Sequence, residues 1–270
     1  MFTESRQRQA FSLVELSIVL VILGLLTGGI LAGQSLIRAA QLRAVPTEYS
    51  RWITATRSFR DKYFGLPGDI ATATQFWGRM VNVTECVTNS SAAVNSSTGV
   101  CDGNADGALD IASAGSKPAE LAQYWRELAL AGLIEGTYSG YTGASGNRTC
   151  VIGTDCPPSK LSNAGWSTRT MTAPDDSGAA YAMDYGNMFL VGGQTPQMTN
   201  AAVMKPEEAW NIDVKMDDGK PAYGKIVARY YNNACAAADD GTTHTPTNFV
   251  ASYKLTDSST QCALYFRNAY

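Results

Sequence analysis

Leu16 to Ile37 run for 22 residues without a charged side chain, and one carboxylate, Glu15, stands at the head of that run. At about 1.5 Å rise per residue, a helix of this length spans roughly 33 Å, enough to cross the hydrocarbon core of a bilayer. An ionisable group at the edge of such a segment is costly unless it finds a partner, so Glu15 is a functional residue by default. Residues 1–10, MFTESRQRQA, are polar and carry Arg6 and Arg8. That is the pattern of a charged n-region ahead of an apolar h-region. An ordinary secretory signal is cut after the apolar run, but here Leu31-Ala32-Gly33 leads into more helix-like sequence. Cutting between Ala10 and Phe11 would leave the helix on the mature chain. The α-amino group of Phe11 would then come first, and Glu15 would be the fifth residue.

The stretch FSLVELSIVLVILGLL, directly after a basic leader, resembles the N-terminus of type IV pilins and type II secretion pseudopilins, which carry class III signal peptides. The resemblance covers about 30 of the 270 residues. It implies that a prepilin peptidase cuts before Phe11 and methylates the new amine. It implies that Glu15 pairs with the N-terminal amine of a neighbouring subunit in a filament. The residue before the cut is Ala10, where the family usually has Gly. The implied partners are other pilin or pseudopilin subunits, the peptidase and the inner-membrane assembly machinery. The implied location is the bacterial inner membrane, single-pass with the head in the periplasm, and then the pilus or pseudopilus. Two other roles fit the same residues: a membrane-tethered exported binding domain that never polymerises, and a minor tip pilin for adhesion or DNA uptake.

Composition agrees with export. Net charge is −3 and no basic patch stands out, so no nucleic-acid partner is expected. All six cysteines, Cys86, Cys101, Cys150, Cys156, Cys235 and Cys262, lie beyond the apolar run in Ser/Thr/Gly-rich sequence. An even set in an exported region reads as disulfides, and proximity favours Cys86–Cys101, Cys150–Cys156 and Cys235–Cys262. A zinc site is disfavoured, because no C-x-x-C occurs and His244 is the single histidine.

Past the apolar run the helix continues. Tyr49, Trp52, Ile53, Thr56, Phe59 and Tyr63 recur at three- and four-residue spacing, with Arg51, Arg57, Asp61 and Lys62 between them. Pro46 is expected to kink this helix without ending it, and Gly65-Leu66-Pro67-Gly68 to stop it. The domain plan is a leader over residues 1–10, a transmembrane or filament-core helix over 11–37, an amphipathic continuation over 38–64 and a globular head over 65–270. Gly24, Gly28, Gly29 and Gly33 form small-xxx-small pairs that let helices approach closely.

The head reads as α+β. Helices are expected after Asp69 as cap, after Ser116 through Leu121, Tyr124, Trp125 and Leu128, and from Pro206. Strand candidates are Ala180–Val191, Lys225–Tyr231, Phe249–Leu255 and Ala263–Arg267. The expected architecture is an antiparallel sheet packed on the second half of the long helix, as in pilin-like heads. One loop carries chemistry: Asp102-Gly-Asn104-Ala-Asp106-Gly107-Ala108-Leu109-Asp110 matches the first half of a calcium loop. Asp102, Asn104, Asp106, the Ala108 carbonyl and Asp110 are the expected Ca²⁺ ligands. Ser113 stands where an EF-hand has its bidentate Glu, so Glu120 is the candidate for the missing carboxylate. Asp213, Asp217 and Asp218 form a second acidic group, which reads as turn chemistry. No phosphate loop after a strand, no H-E-x-x-H and no nucleophile motif occurs, so no enzymatic activity is expected.

Overall fold

The computed structural model describes residues 13–80, 99–109, 120–140, 150–172, 181–195, 198–229, 234–238, 247 and 249–270. The expected sites at Ala10, Phe11, Cys86 and Asp110 fall outside these residues. The chain divides into two compact units, residues 1–41 and 42–270.

Helix α1 runs from Leu13 to Tyr63 and continues through Pro46. In the first unit its apolar side chains, from Leu13 through Ile37, are exposed. Among the described residues, and leaving aside the helix's own adjacent backbone, nothing lies within 4 Å of a Cβ built at Gly24, Gly28, Gly29 or Gly33. The few hydroxyls here satisfy themselves on the helix: Ser17 donates to the Val14 carbonyl, Thr27 to Leu23 and Ser35 to Ala32, each at 2.8 Å. Such back-bonding removes the need for an outside partner.

The second unit is α+β, as expected. Its described elements after α1 are α2 (Ala73–Trp77), α3 (Glu120–Leu130), β1 (Gly165–Met171), β2 (Gly186–Gln194), β3 (Thr199–Ala201), α4 (Pro206–Met216), β4 (Ile226–Ala228), β5 (Ala236–Ala238), β6 (Ala251–Tyr253) and β7 (Leu264–Phe266). One antiparallel sheet has the order β1-β2-β7-β4, with β3 paired to β2; β5 and β6 form a separate two-stranded sheet.

The period-2 geometry of a strand explains how this sheet joins two cores. Phe189, Val191, Leu264, Phe266, Ile226 and Ala228 point to the core that contains Trp52, Ile53 and Phe59 of α1. Their neighbours Met188, Leu190, Tyr265 and Val227 point the opposite way, to a second core with Tyr181, Tyr185, Ala236 and Ala251. With both faces buried, the strands read as short apolar runs rather than alternating ones.

The amphipathic stripe of α1 lies in the first core. Tyr49 stacks on Phe266 with ring centroids 4.5 Å apart, and Trp52 meets Trp125 edge-on at 5.2 Å. The Thr56 hydroxyl bonds both the Trp52 carbonyl and the Tyr124 hydroxyl. Helix α3 is buried on every side from Glu120 to Leu128, polar residues included. Those polar groups hold loops: the Arg126 guanidinium donates to the Gly99, Tyr138 and Ser139 carbonyls, and Gln123 donates to the Gly140 carbonyl.

Several expected bounds shift. The helix expected directly after Asp69 begins only at Ala73, with Thr72 before it. The Asp69 carboxylate is taken by the backbone of another loop, and α2 is instead capped in trans by Asp102, which accepts from Thr74 N at 2.8 Å and Thr74 Oγ1 at 2.9 Å. Phe76 is 53% exposed, with its ring against Tyr63 and Trp77. The strand expected from Ala180 starts at Gly186, whose φ of 58° marks a turn. Strand β1 was not among the expected strands.

Candidate functional site

Two features hold the chemistry, one in each unit. In the first, Glu15 lies in the first turn of α1, where the positive end of the helix dipole favours an acid. α1 has the length and composition to cross a membrane, and none of its apolar window is buried. The geometry is thus a charge-free rod surface with a carboxylate near one end.

The second feature is an acidic group in the head. Asp69, Asp106 and Glu120 each offer a carboxylate oxygen, and these oxygens lie within 4.8 Å of one another. Three separate segments supply them: the turn after α1, the loop that follows Cys101, and the first residue of α3. Close backbone packing brings the segments together. Gly68 has φ 84°, and a Cβ there would overlap the Glu120 carbonyl; a Cβ at Gly103 would overlap the Asp69 backbone. Asp69 accepts from Gly107 N at 2.9 Å and Asp106 N at 3.3 Å, and Glu120 accepts from Asn104 N at 3.0 Å.

The expected calcium loop is therefore only partly assembled as expected. Asp106 and Glu120 are brought together. Asn104 uses its side chain on Asp106, donating to its carboxylate at 2.8 Å and accepting from its backbone N at 2.9 Å. Asp102 is turned to Thr74. Ala108 N donates to Asp106 Oδ1 at 3.0 Å, and Gly107, at φ 84°, makes a sharp turn. Asp69 is the carboxylate of this group that the sequence reading did not include. Its signal was weak because it lies far upstream of the loop and resembles an ordinary cap.

Glu127, two turns further along the same face of α3, is fully buried. Its Oε2 accepts from Gly68 N at 2.6 Å, while Oε1 has no hydrogen bond among the described residues. Burial drives its pKa well up, and the nearby charges of Asp102, Asp69 and Glu120 add to the rise. Burial also raises Asp69, with Asp106 adding to the rise against the backbone bonds that lower it. Oxygen-only donors of this kind suit a hard divalent cation, so the residues present fit Ca²⁺.

The second acidic group, Asp213, Asp217 and Asp218, is consumed by turn hydrogen bonds. Asp213 accepts from Tyr253 Oη at 2.8 Å and Gly219 N at 3.2 Å; Asp217 accepts from Ile226 N at 3.0 Å and from Lys225 N; Asp218 accepts from Lys220 N at 2.9 Å. Disulfides Cys150–Cys156 and Cys235–Cys262 form as expected, with Cα separations of 5.6 and 5.0 Å. Cys101 is disulfide-bonded too.

Residues 5–31 match the prokaryotic N-terminal methylation motif, the class III signal peptide of type IV pilins and pseudopilins. The motif, with the apolar helix and α+β head, supports a type IV pilin-like exported protein. The motif points to a structural protein anchored in a membrane and assembled with other pilin subunits. No curated protein and no solved structure matches the chain.

Proposed function

We propose that the chain is a structural, non-catalytic subunit of a type IV pilus or type II secretion pseudopilus. Prepilin peptidase would mature it between Ala10 and Phe11, and the inner-membrane machinery would polymerise it through the apolar half of α1, with the head on the periplasmic side. The observation that supports this most is Glu15 itself. It lies within the matched motif, in the first turn of an exposed helix that carries no other charge as far as Ile37.

In a bundle of such helices the apolar faces cover one another, and Glu15 meets the Phe11 amine of a neighbour. Either charge left unpaired in that setting costs several kcal/mol. The pairing therefore sets axial register as well as removing a penalty. Mass spectrometry of the exported protein is expected to show Phe11 first, bearing a methyl group. Glu15→Ala is expected to cut filament yield by at least about tenfold, the scale of a lost buried pair, while the head keeps its melting temperature. Residues 1–10 still attached, or normal filaments from Glu15→Ala, would overturn the proposal. Single membrane-bound molecules in place of filaments would favour the tethered exported domain, and subunit stoichiometry separates major from minor pilins.

A further inference from the structure

We propose that the cleft between the end of α1, the 105–107 turn and the sheet binds a small carboxylic acid with an apolar body. Arg57 and Arg60 hold its carboxylate, and Phe64 holds its apolar end. The site goes beyond the filament reading and does not rest on it.

Three observations carry it. The first is the cleft itself, about 670 Å³, within the range of sites that take small molecules. Leu66 and Ile70, both buried, contribute apolar lining, and Tyr270 lies there too. The second is a pair of uncommitted cations. Arg57 and Arg60 are three residues apart on α1, so they share one face, and both line the cleft. Both are exposed, and among the described residues neither forms an ion pair, although Asp61 and Asp69 line the same cleft. Other polar groups there are already engaged. Asp69 accepts from Gly107 N and Asp106 N, the Asn187 amide donates to the Gly107 carbonyl at 3.0 Å, and the Tyr270 hydroxyl bonds Thr168. The two guanidinium groups remain as donors for a ligand, and an arginine fork matches a carboxylate in two parallel N–H···O bonds.

The third is Phe64. It lies at φ 58°, just past the end of α1, with its N–H on the Arg60 carbonyl at 2.8 Å. Glycine is the usual residue in that conformation, and a bulky side chain there is an outlier. Packing does not offset the strain, because Phe64 is 93% exposed. Strain without a return inside the fold points to a use outside it, and Phe64 lines the cleft. Charge then selects the ligand class. Two arginines share the lining with two aspartates, so one negative charge suits the cleft better than the double charge of a phosphate.

The probe is phenylacetate, followed by saturation-transfer NMR with the full chain in a non-ionic detergent, and with detergent alone as the blank. Binding is expected with a Kd of about 1 mM, the scale for so small a ligand. Uncharged 2-phenylethanol and ring-free acetate should each bind at least about tenfold more weakly. Arg60→Gln should weaken phenylacetate by at least about tenfold, the scale of a lost charged hydrogen bond. Its Tm should stay within about 2 °C of the parent, as for a surface change. Arg51→Gln, whose guanidinium pairs with Glu135 and does not line the cleft, should bind as the parent does. Phe64→Gly relieves the strain, so its Tm should stay level or rise while its affinity falls. No binding above the blank overturns the site, as does full binding in Arg60→Gln or lost binding in Arg51→Gln. Equal binding of 2-phenylethanol overturns the anion, and tighter binding of phenyl phosphate overturns the single charge. A lower Tm in Phe64→Gly makes the ring a structural part and overturns its role in the cleft.

Discussion

Glu48 shows how much one side chain can fix. It lies on the part of α1 that belongs to the head unit. Its carboxylate accepts from Ser159 Oγ at 2.6 Å, Lys160 N at 2.7 Å and the indole Nε1 of Trp166 at 2.7 Å. Trp166 is fully buried, so removing this acceptor strands a buried donor. Leaving such a group unsatisfied costs about 1–3 kcal/mol, and hydrogen bonds to a charged acceptor sit at the upper end. Glu48→Ala is expected to lower unfolding free energy by about 3 kcal/mol in urea titrations, and Glu48→Gln to recover part of it. Asp213 argues a pH dependence. Burial pushes its pKa up to about 7, with Asp217 and Asp218 adding to the rise and the Tyr253 and Gly219 bonds opposing it. Between the ordinary carboxylate range and pH 7, the unfolded chain has lost this proton while the folded chain keeps it. Its contribution to stability therefore falls as pH rises from about 4 to 7 and is level above that. Melting curves across that window should flatten in Asp213→Asn relative to the parent; an unchanged slope would remove Asp213 as the cause. Neither residue was legible as a site. Glu48 reads as one more charge on a helix, and Asp213 as one acid among turn formers. Their partners lie 118 and 40 positions away along the chain.

At the level of elements, legibility followed how each segment meets its neighbours. The second half of α1 was readable because one face is wet and one is dry, which writes a 3.6-residue period into the sequence. α4 was readable from Pro206 and Glu208, and the Glu208 carboxylate does accept from Lys205 N at 2.9 Å. β1 was not readable because its buried positions include Ser167 and Thr168. Ser167 is satisfied by Thr199 Oγ1 at 2.8 Å, and Thr168 donates to the Met188 carbonyl at 3.0 Å. Tertiary hydrogen bonds let polar residues occupy a core strand, and no local pattern announces that. The disulfides differ in what they join. Cys150–Cys156 closes a tight local loop with a separation of 6. Cys235–Cys262 spans 27 residues, and it ties the segment entering β5 to the segment entering β7. Loop-closure entropy gives about 2.2 kcal/mol for the first and about 3.6 kcal/mol for the second. Removing each pair by Cys→Ala should therefore show Cys235–Cys262 as the costlier loss, and the opposite order in chemical denaturation would refute the entropic account.

For the molecule as a whole, the decisive question is where the head begins. The end of the helix, at Gly65, is the boundary that sequence suggests, because a Gly/Pro cluster stops the periodic pattern. The compact unit that holds the head starts at Leu42, inside α1. The reason is that Val45, Trp52, Ile53 and Phe59 are buried core residues, not a connecting stalk. Two truncations separate these views. A chain of residues 42–270 retains every one of those side chains and the Glu48 anchor, so it should be soluble without detergent and melt cooperatively. A chain of residues 65–270 loses them all. Loss of a buried Trp or Phe costs about 3–5 kcal/mol each even when only the side chain is cut away. Trp52 and Phe59 alone would then remove about 6–10 kcal/mol, against a typical domain stability of about 5–15 kcal/mol. With Ile53 and Glu48 gone as well, the shorter chain should lack a cooperative transition and its near-ultraviolet dichroism. A sharp melt from residues 65–270 would show that the second half of α1 rests on the head without completing its core.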